Sequence, residues 1–171
     1  NIFITGNIVN VNGTAFFSRY DDVHGDELWK SDGTEAGTVI VKDIRIGTID
    51  SRPQSLTNVN GSLFFKAGDG VNGRELWKSD GTEADTVLVR DIQPGTADSM
   101  FGGLFSNVNG TVYFTAAESG NDRELWKSDG TSAGTVRVKD IQIGSSPSFP
   151  NYLTNVNGTL FFSAEDSVHG R

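Results

Sequence analysis

Cysteine is absent from this chain of 171 residues, so neither disulfides nor a thiolate metal centre hold it together. No apolar run approaches the ~18 residues that a membrane-spanning helix requires, and the opening Asn1-Ile2-Phe3-Ile4-Thr5 has neither the basic region nor the apolar core of a signal peptide. Positive charge is scarce. Against 22 Asp and Glu stand 14 Lys and Arg, a formal net charge of −8. That balance opposes binding to nucleic acid or anionic membranes, because both demand cations to neutralise phosphate. Helical periodicity is weak throughout, while 21 glycines and regularly recurring aromatics suit short strands joined by tight turns.

What the chain has instead is repetition. The eight residues ELWKSDGT stand unchanged at 27–34, 75–82 and 124–131, which sets Trp29, Trp77 and Trp126 apart by 48 and then 49 residues. Asn-Val-Asn-Gly keeps the same beat from Asn10, Asn58, Asn107 and Asn155. Three full units and the first half of a fourth are therefore present, and an array of this kind builds its core between neighbouring units. The chain begins at Asn1 and ends at Arg171, just where Glu-Leu-Trp would follow. It reads as a segment of a longer protein, with any export signal lying in the remainder.

Within the second unit, residues 55–59 lead into Asn60-Gly61, the pair that best accepts the positive φ angles of a type I′ hairpin turn. Further strands are expected at 62–67, 74–79 and 86–92. Four strands in about 48 residues match one β-propeller blade. The expected fold is all-β, a propeller-type array of four-stranded antiparallel blades at 6–50, 54–98 and 103–147 with a half blade at 151–171. Stacked blades bury both faces, which explains doublets such as Phe16-Phe17, Phe64-Phe65, Tyr113-Phe114 and Phe161-Phe162. Each Trp is expected between blades. A ring takes roughly four to eight blades, so Leu160, Phe161 and Phe162 of the half blade call for cover from a longer chain or from another copy.

The segment ELWKSDGTEAGTVIVKDI resembles the bacterial repeat family named for ELWxxDGT. The resemblance covers almost the whole chain and implies a β-propeller from an exported or surface-attached bacterial protein, with no catalytic residue to carry over. One departure is Asp85 where the other units have Gly37 and Gly134, which bears on whether that turn needs a positive φ.

The repeated Asp32-Gly33, Asp80-Gly81 and Asp129-Gly130, like the three tryptophans, are structural: a carboxylate and a hydroxyl fold a turn by bonding its amides. Asn12, Asn60, Asn109 and Asn157 open N-glycosylation sequons, but an Asn-Gly turn followed by a β-favouring hydroxyl residue accounts for the same pattern. Loops before each ELW carry Asp21, Asp22 and His24, then Asp69 and Asn72, then Glu118, Asn121 and Asp122. Such hard oxygen ligands suit calcium, the one cofactor left open, although turn chemistry explains them and none has EF-hand spacing. His24 and His169 stand where the other units have Asn, as turn residues do. Catalysis would need a paired acid and base, a nucleophile or an Arg cluster unique to one unit, and Arg19, Arg45, Arg52 and Arg137 are scattered over non-equivalent positions.

Four antiparallel strands put the Asn-Gly and SDGT turns at one end and the remaining loops at the other. The first set is nearly invariant; the second differs between units, and loops on a rigid scaffold are the usual binding surface. Contacts are expected from Tyr20, Asp21, Arg52, Met100, Phe101, Phe149 and Tyr152, with the aromatics either stacking on a sugar or protein partner or plugging gaps between blades. A non-catalytic scaffold for recognition or adhesion, binding protein or glycan at a bacterial surface, fits best. The alternatives are a structural protein whose blade arcs join between chains and an accessory propeller of a secreted hydrolase.

Overall fold

The computed structural model describes residues 3–100, 102 and 105–170, and among these there are strands and turns but no helix. Four antiparallel sheets follow one another along the chain. The first contains β1 (Phe3–Ile4), β2 (Val9–Val11), β3 (Thr14–Asp21), β4 (Gly25–Ser31) and β5 (Val39–Lys42), with β1 and β2 both pairing to β3. The second contains β6 (Gln54–Val59), β7 (Ser62–Gly68), β8 (Arg74–Ser79) and β9 (Val87–Arg90). The third contains β10 (Ser106–Val108), β11 (Thr111–Ala117), β12 (Arg123–Ser128) and β13 (Val136–Lys139). The fourth is the hairpin β14 (Asn151–Val156) and β15 (Thr159–Ser163). Among the described residues no helix is long and apolar enough to cross a membrane.

Each ELWKS segment is an extended strand paired on one side with the Phe-doublet strand and on the other with the Val-rich fourth strand, as expected. The Asn-Gly turns are two-residue hairpins, since Val59 stands opposite Ser62 and Val108 opposite Thr111. Both central residues have positive φ, for example 52° at Asn60 and 86° at Gly61, as type I′ geometry requires. The fourth strand stops at Arg90, short of the expected 92. Beyond it the Ile92 amide leaves the ladder and donates to Glu75 Oε2 at 2.9 Å.

The core lies between sheets. Phe16, Leu28 and Val41 of the first sheet meet Leu63, Phe65 and Trp77 of the second, and Phe64, Leu76 and Val89 of the second meet Val112, Phe114 and Trp126 of the third. Successive side chains of a strand point to opposite faces, so in the second unit Phe64 serves the following sheet and Phe65 the preceding one. Both faces are apolar for that reason, and alternation is lost.

A column of asparagines ties the units along the first strands. Asn58 Nδ2 donates to Asn10 O at 2.8 Å, Asn107 Nδ2 to Asn58 O at 3.1 Å, and Asn155 Nδ2 to Asn107 O at 2.8 Å. The other amide atom of the same side chain closes its own hairpin, as when Asn58 Oδ1 accepts from Gly61 N. One residue type thus shapes the turn and joins it to the unit before.

The SDGT turns are closed as expected: Asp32 Oδ1 accepts from the Thr34 amide and hydroxyl, and Thr38 Oγ1 donates to Thr34 O. The glycine at the end of the turn has a different cause from φ. Gly37 and Gly134 are not among the positive-φ residues; a Cβ on either would instead overlap the carboxylate of Asp32 or Asp129. Asp85 keeps the same bond to the turn threonine, with Asp85 N to Thr82 Oγ1 at 3.2 Å against 2.9 Å from Gly37 N to Thr34 Oγ1.

Past the third sheet, cover runs out. Val138 is 44% exposed, whereas its equivalents Val41 and Val89, each packed under the next unit's Trp, are 5% and 7% exposed. Phe161 and Phe162 are likewise exposed, while Leu160 is half-buried.

Candidate binding surface

The loops at the end opposite the Asn-Gly turns rest on one buried carboxylate per unit. Glu27, the first residue of ELW, is fully buried and accepts from Ile44 N at 3.0 Å, Ser51 N at 3.1 Å and Ser51 Oγ at 2.6 Å. Glu75 does the same with Ile92 N, Ser99 N and Ser99 Oγ, and Glu124 with Ile141 N and Ser148 Oγ. Each glutamate therefore grips both ends of the connector to the next unit. The gripped serine in turn accepts from the following sheet, Gly68 N to Ser51 O at 3.0 Å and Ala117 N to Ser99 O at 2.9 Å. These residues escaped the sequence expectations, where Glu27 was one letter of the repeat and Ser51 part of a variable loop. The available signal was a Ser 24 residues after the ELW glutamate in all three units.

Burial pushes Glu27 and Glu75 up to about 7, against the pull of their hydrogen bonds. A carboxyl raised in the folded state contributes stability that is complete below its unfolded pKa, near 4.5, and is lost as pH rises through 7. In the other direction, the Thr34 hydroxyl and amide hold Asp32 below the ordinary carboxylate range, as those of Thr131 hold Asp129; that contribution is lost in acid. Stability is expected to peak at about pH 4 to 5 and to fall toward pH 8, by on the order of 3 kcal/mol per raised glutamate. Urea titrations at pH 5 and pH 8 check it, and equal stability at the two would refute it.

On this base lies a cavity of about 290 Å³ at the junction of the first and second units, lined by Arg45, Ile49, Asp50, Arg52, Arg74 and Asp98, among others. Arg52 Nε meets Asp50 Oδ2 at 3.3 Å, and Arg74 Nη2 donates to Arg52 O at 3.0 Å and to Gln54 Oε1 at 3.1 Å. Both aspartates are committed to strand starts: Asp50 Oδ1 accepts from Asp26 N and Asp98 Oδ1 from Arg74 N. Arg45 lies against Gly70, where a Cβ would meet its Nε at 3.0 Å. Arg45 and Arg52, scattered in sequence, are thus brought together with Arg74.

The other expected contacts do not join this cavity. Tyr20 is exposed on β3, and the Asp21 carboxylate is taken by the Val23 and His24 amides and the His24 ring. Met100, the equivalent of Arg52 and Phe149, is 3% exposed and packs between the second and third sheets, which leaves it no surface for a ligand. Phe149 is exposed with the Arg123 guanidinium 5.9 Å from its ring centroid, and Tyr152 is 76% exposed. Phe101 lies outside the described residues. The carboxylates of Asp122, Glu124 and Asp140 place ligand atoms within 4.8 Å of one another, but Arg137 Nη1 sits 3.2 Å from Asp122 and the connector occupies Glu124. The Asp69 carboxylate, like that of Asp21, is spent on its own loop amides.

Set against known protein families, curated proteins and solved structures, the chain has no significant match.

Proposed function

We propose that the chain is a non-catalytic recognition scaffold, its sheets set as blades of a β-propeller arc and its ligand, protein or glycan, held at the connector end. The observation that carries this reading is the contrast between ends. The Asn column, the SDGT turns and, beneath the connectors, the Glu–Ser grip recur from unit to unit, while the position after the gripped serine carries exposed Arg52, buried Met100 or exposed Phe149. A frame held constant under changing side chains suits binding better than it suits chemistry. The ELWxxDGT resemblance adds a bacterial setting, secreted or at the cell surface.

Glycan arrays and pull-downs with the 171-residue chain test the proposal. Capture is expected, weakened by Tyr152→Ser at the connector end and unchanged by Glu83→Lys at the turn end. The reverse pattern, or turnover of a captured glycan, would overturn it.

A second reading, self-assembly of arcs between chains, is favoured by the uncovered face at Val138, Phe161 and Phe162. It predicts a native mass that rises with concentration and drops to one chain in Phe161→Lys. A concentration-independent single-chain mass would remove it.

A further inference from the structure

We propose that the arginine-lined cavity at the first junction is a binding site for a compact oxyanion, a carboxylate or a sulfate. The proposal rests on the recognition scaffold above, in that it names a ligand class for one place on the connector end. In a chain of net charge −8, the lining sets Arg45, Arg52 and Arg74 against Asp50 and Asp98, an excess of one positive charge. Arg52 and Arg74 repel one another, and Lys66, 5% exposed, lies within electrostatic reach of Arg74. Both aspartates are already counted in that balance: Asp98 attracts Arg74, Asp50 holds Arg52, and each also accepts from a strand-start amide.

Arg45 is the open member. Among the described residues its guanidinium has neither ion pair nor hydrogen bond, and the absent side chain of Gly70 leaves it room. A guanidinium presents a planar fork that matches the two oxygens of a carboxylate or sulfate. The place is unique in the chain: the second and third units carry Gln93 and Gln142 where the first has Arg45, and Met100 and Phe149 where it has Arg52. A cavity of about 290 Å³ admits an oxyanion and a few waters; it is below the size that engulfs a large apolar ligand.

The same comparison supplies the variant. Arg45→Gln installs the residue that the second and third units hold at that position, whereas Arg52→Met is set aside because Arg52 has positive φ and Met100 does not. The full chain is titrated by calorimetry with sodium sulfate, galacturonate and galactose at low and high NaCl. Sulfate or galacturonate is expected to bind, about tenfold more weakly in Arg45→Gln and more weakly at high salt; whichever binds tighter identifies the source of the oxyanion. Equal binding by Arg45→Gln and the parent chain, or galactose bound as well as galacturonate, overturns the proposal. Capture of neutral glycans without oxyanion binding defeats it and leaves the recognition scaffold standing. Oxyanion binding without any glycan or protein capture supports it and defeats the scaffold.

Discussion

Trp77→Ala lowers the unfolding free energy by about 3–5 kcal/mol. Trp77 belongs to the second unit but is buried against Leu28 and Val41 of the first, so its loss opens a cavity at a joint. A large aromatic buries roughly 150–250 Å², which at about 25 cal/mol per Å² amounts to roughly 4–6 kcal/mol before side-chain entropy is subtracted. Native domains hold only about 5–15 kcal/mol in reserve, so the change consumes a large part of it. Urea unfolding followed by circular dichroism reads the loss, and Trp126→Ala, which empties the next joint, should match it. A loss below about 1 kcal/mol at both positions would mean that the sheets do not depend on one another for their cores.

Glu75→Ala is expected to cost a similar amount for a different reason. It leaves the Ile92 amide, the Ser99 amide and the Ser99 hydroxyl without their acceptor, at about 1–3 kcal/mol for each group that finds no substitute, so at least roughly 3 kcal/mol if none of the three does. Glu75→Gln separates charge from geometry. Its amide keeps one acceptor oxygen and turns an NH₂ toward the donors, so much of the stability is lost, but the group no longer titrates. The decline of stability from pH 5 to pH 8 should therefore be shallower in Glu75→Gln than in the parent chain. An unchanged slope would show that the pH dependence arises elsewhere.

Strand order and hairpin turns were legible because they depend on local rules. Asn-Gly accepts positive φ at both positions, ELWKS carries strand-forming residues, and the Phe doublets declare two apolar faces. What escaped was held by distance. Glu27 meets Ser51 across 24 residues, and nothing in the composition of either neighbourhood announces a buried carboxylate. Arg45, Arg52 and Arg74 gather at one junction because connectors fold over the following sheet, whereas along the chain they occupy three unrelated positions. Met100 shows the limit from the other side: it looked like a loop residue, but its side chain turns into the joint, while Arg52 and Phe149 at the same position take positive φ and stay exposed.

The asparagine column has a direction. Every side-chain amide in it donates toward the lower-numbered unit, so the array has a donor end at Asn10, whose Nδ2 meets no acceptor among the described residues, and an acceptor end at the main-chain carbonyl of Asn155. It is a polar polymer in miniature. Two copies that continued this column would do so head to tail, a heterologous contact of the kind that propagates as rings or helical filaments.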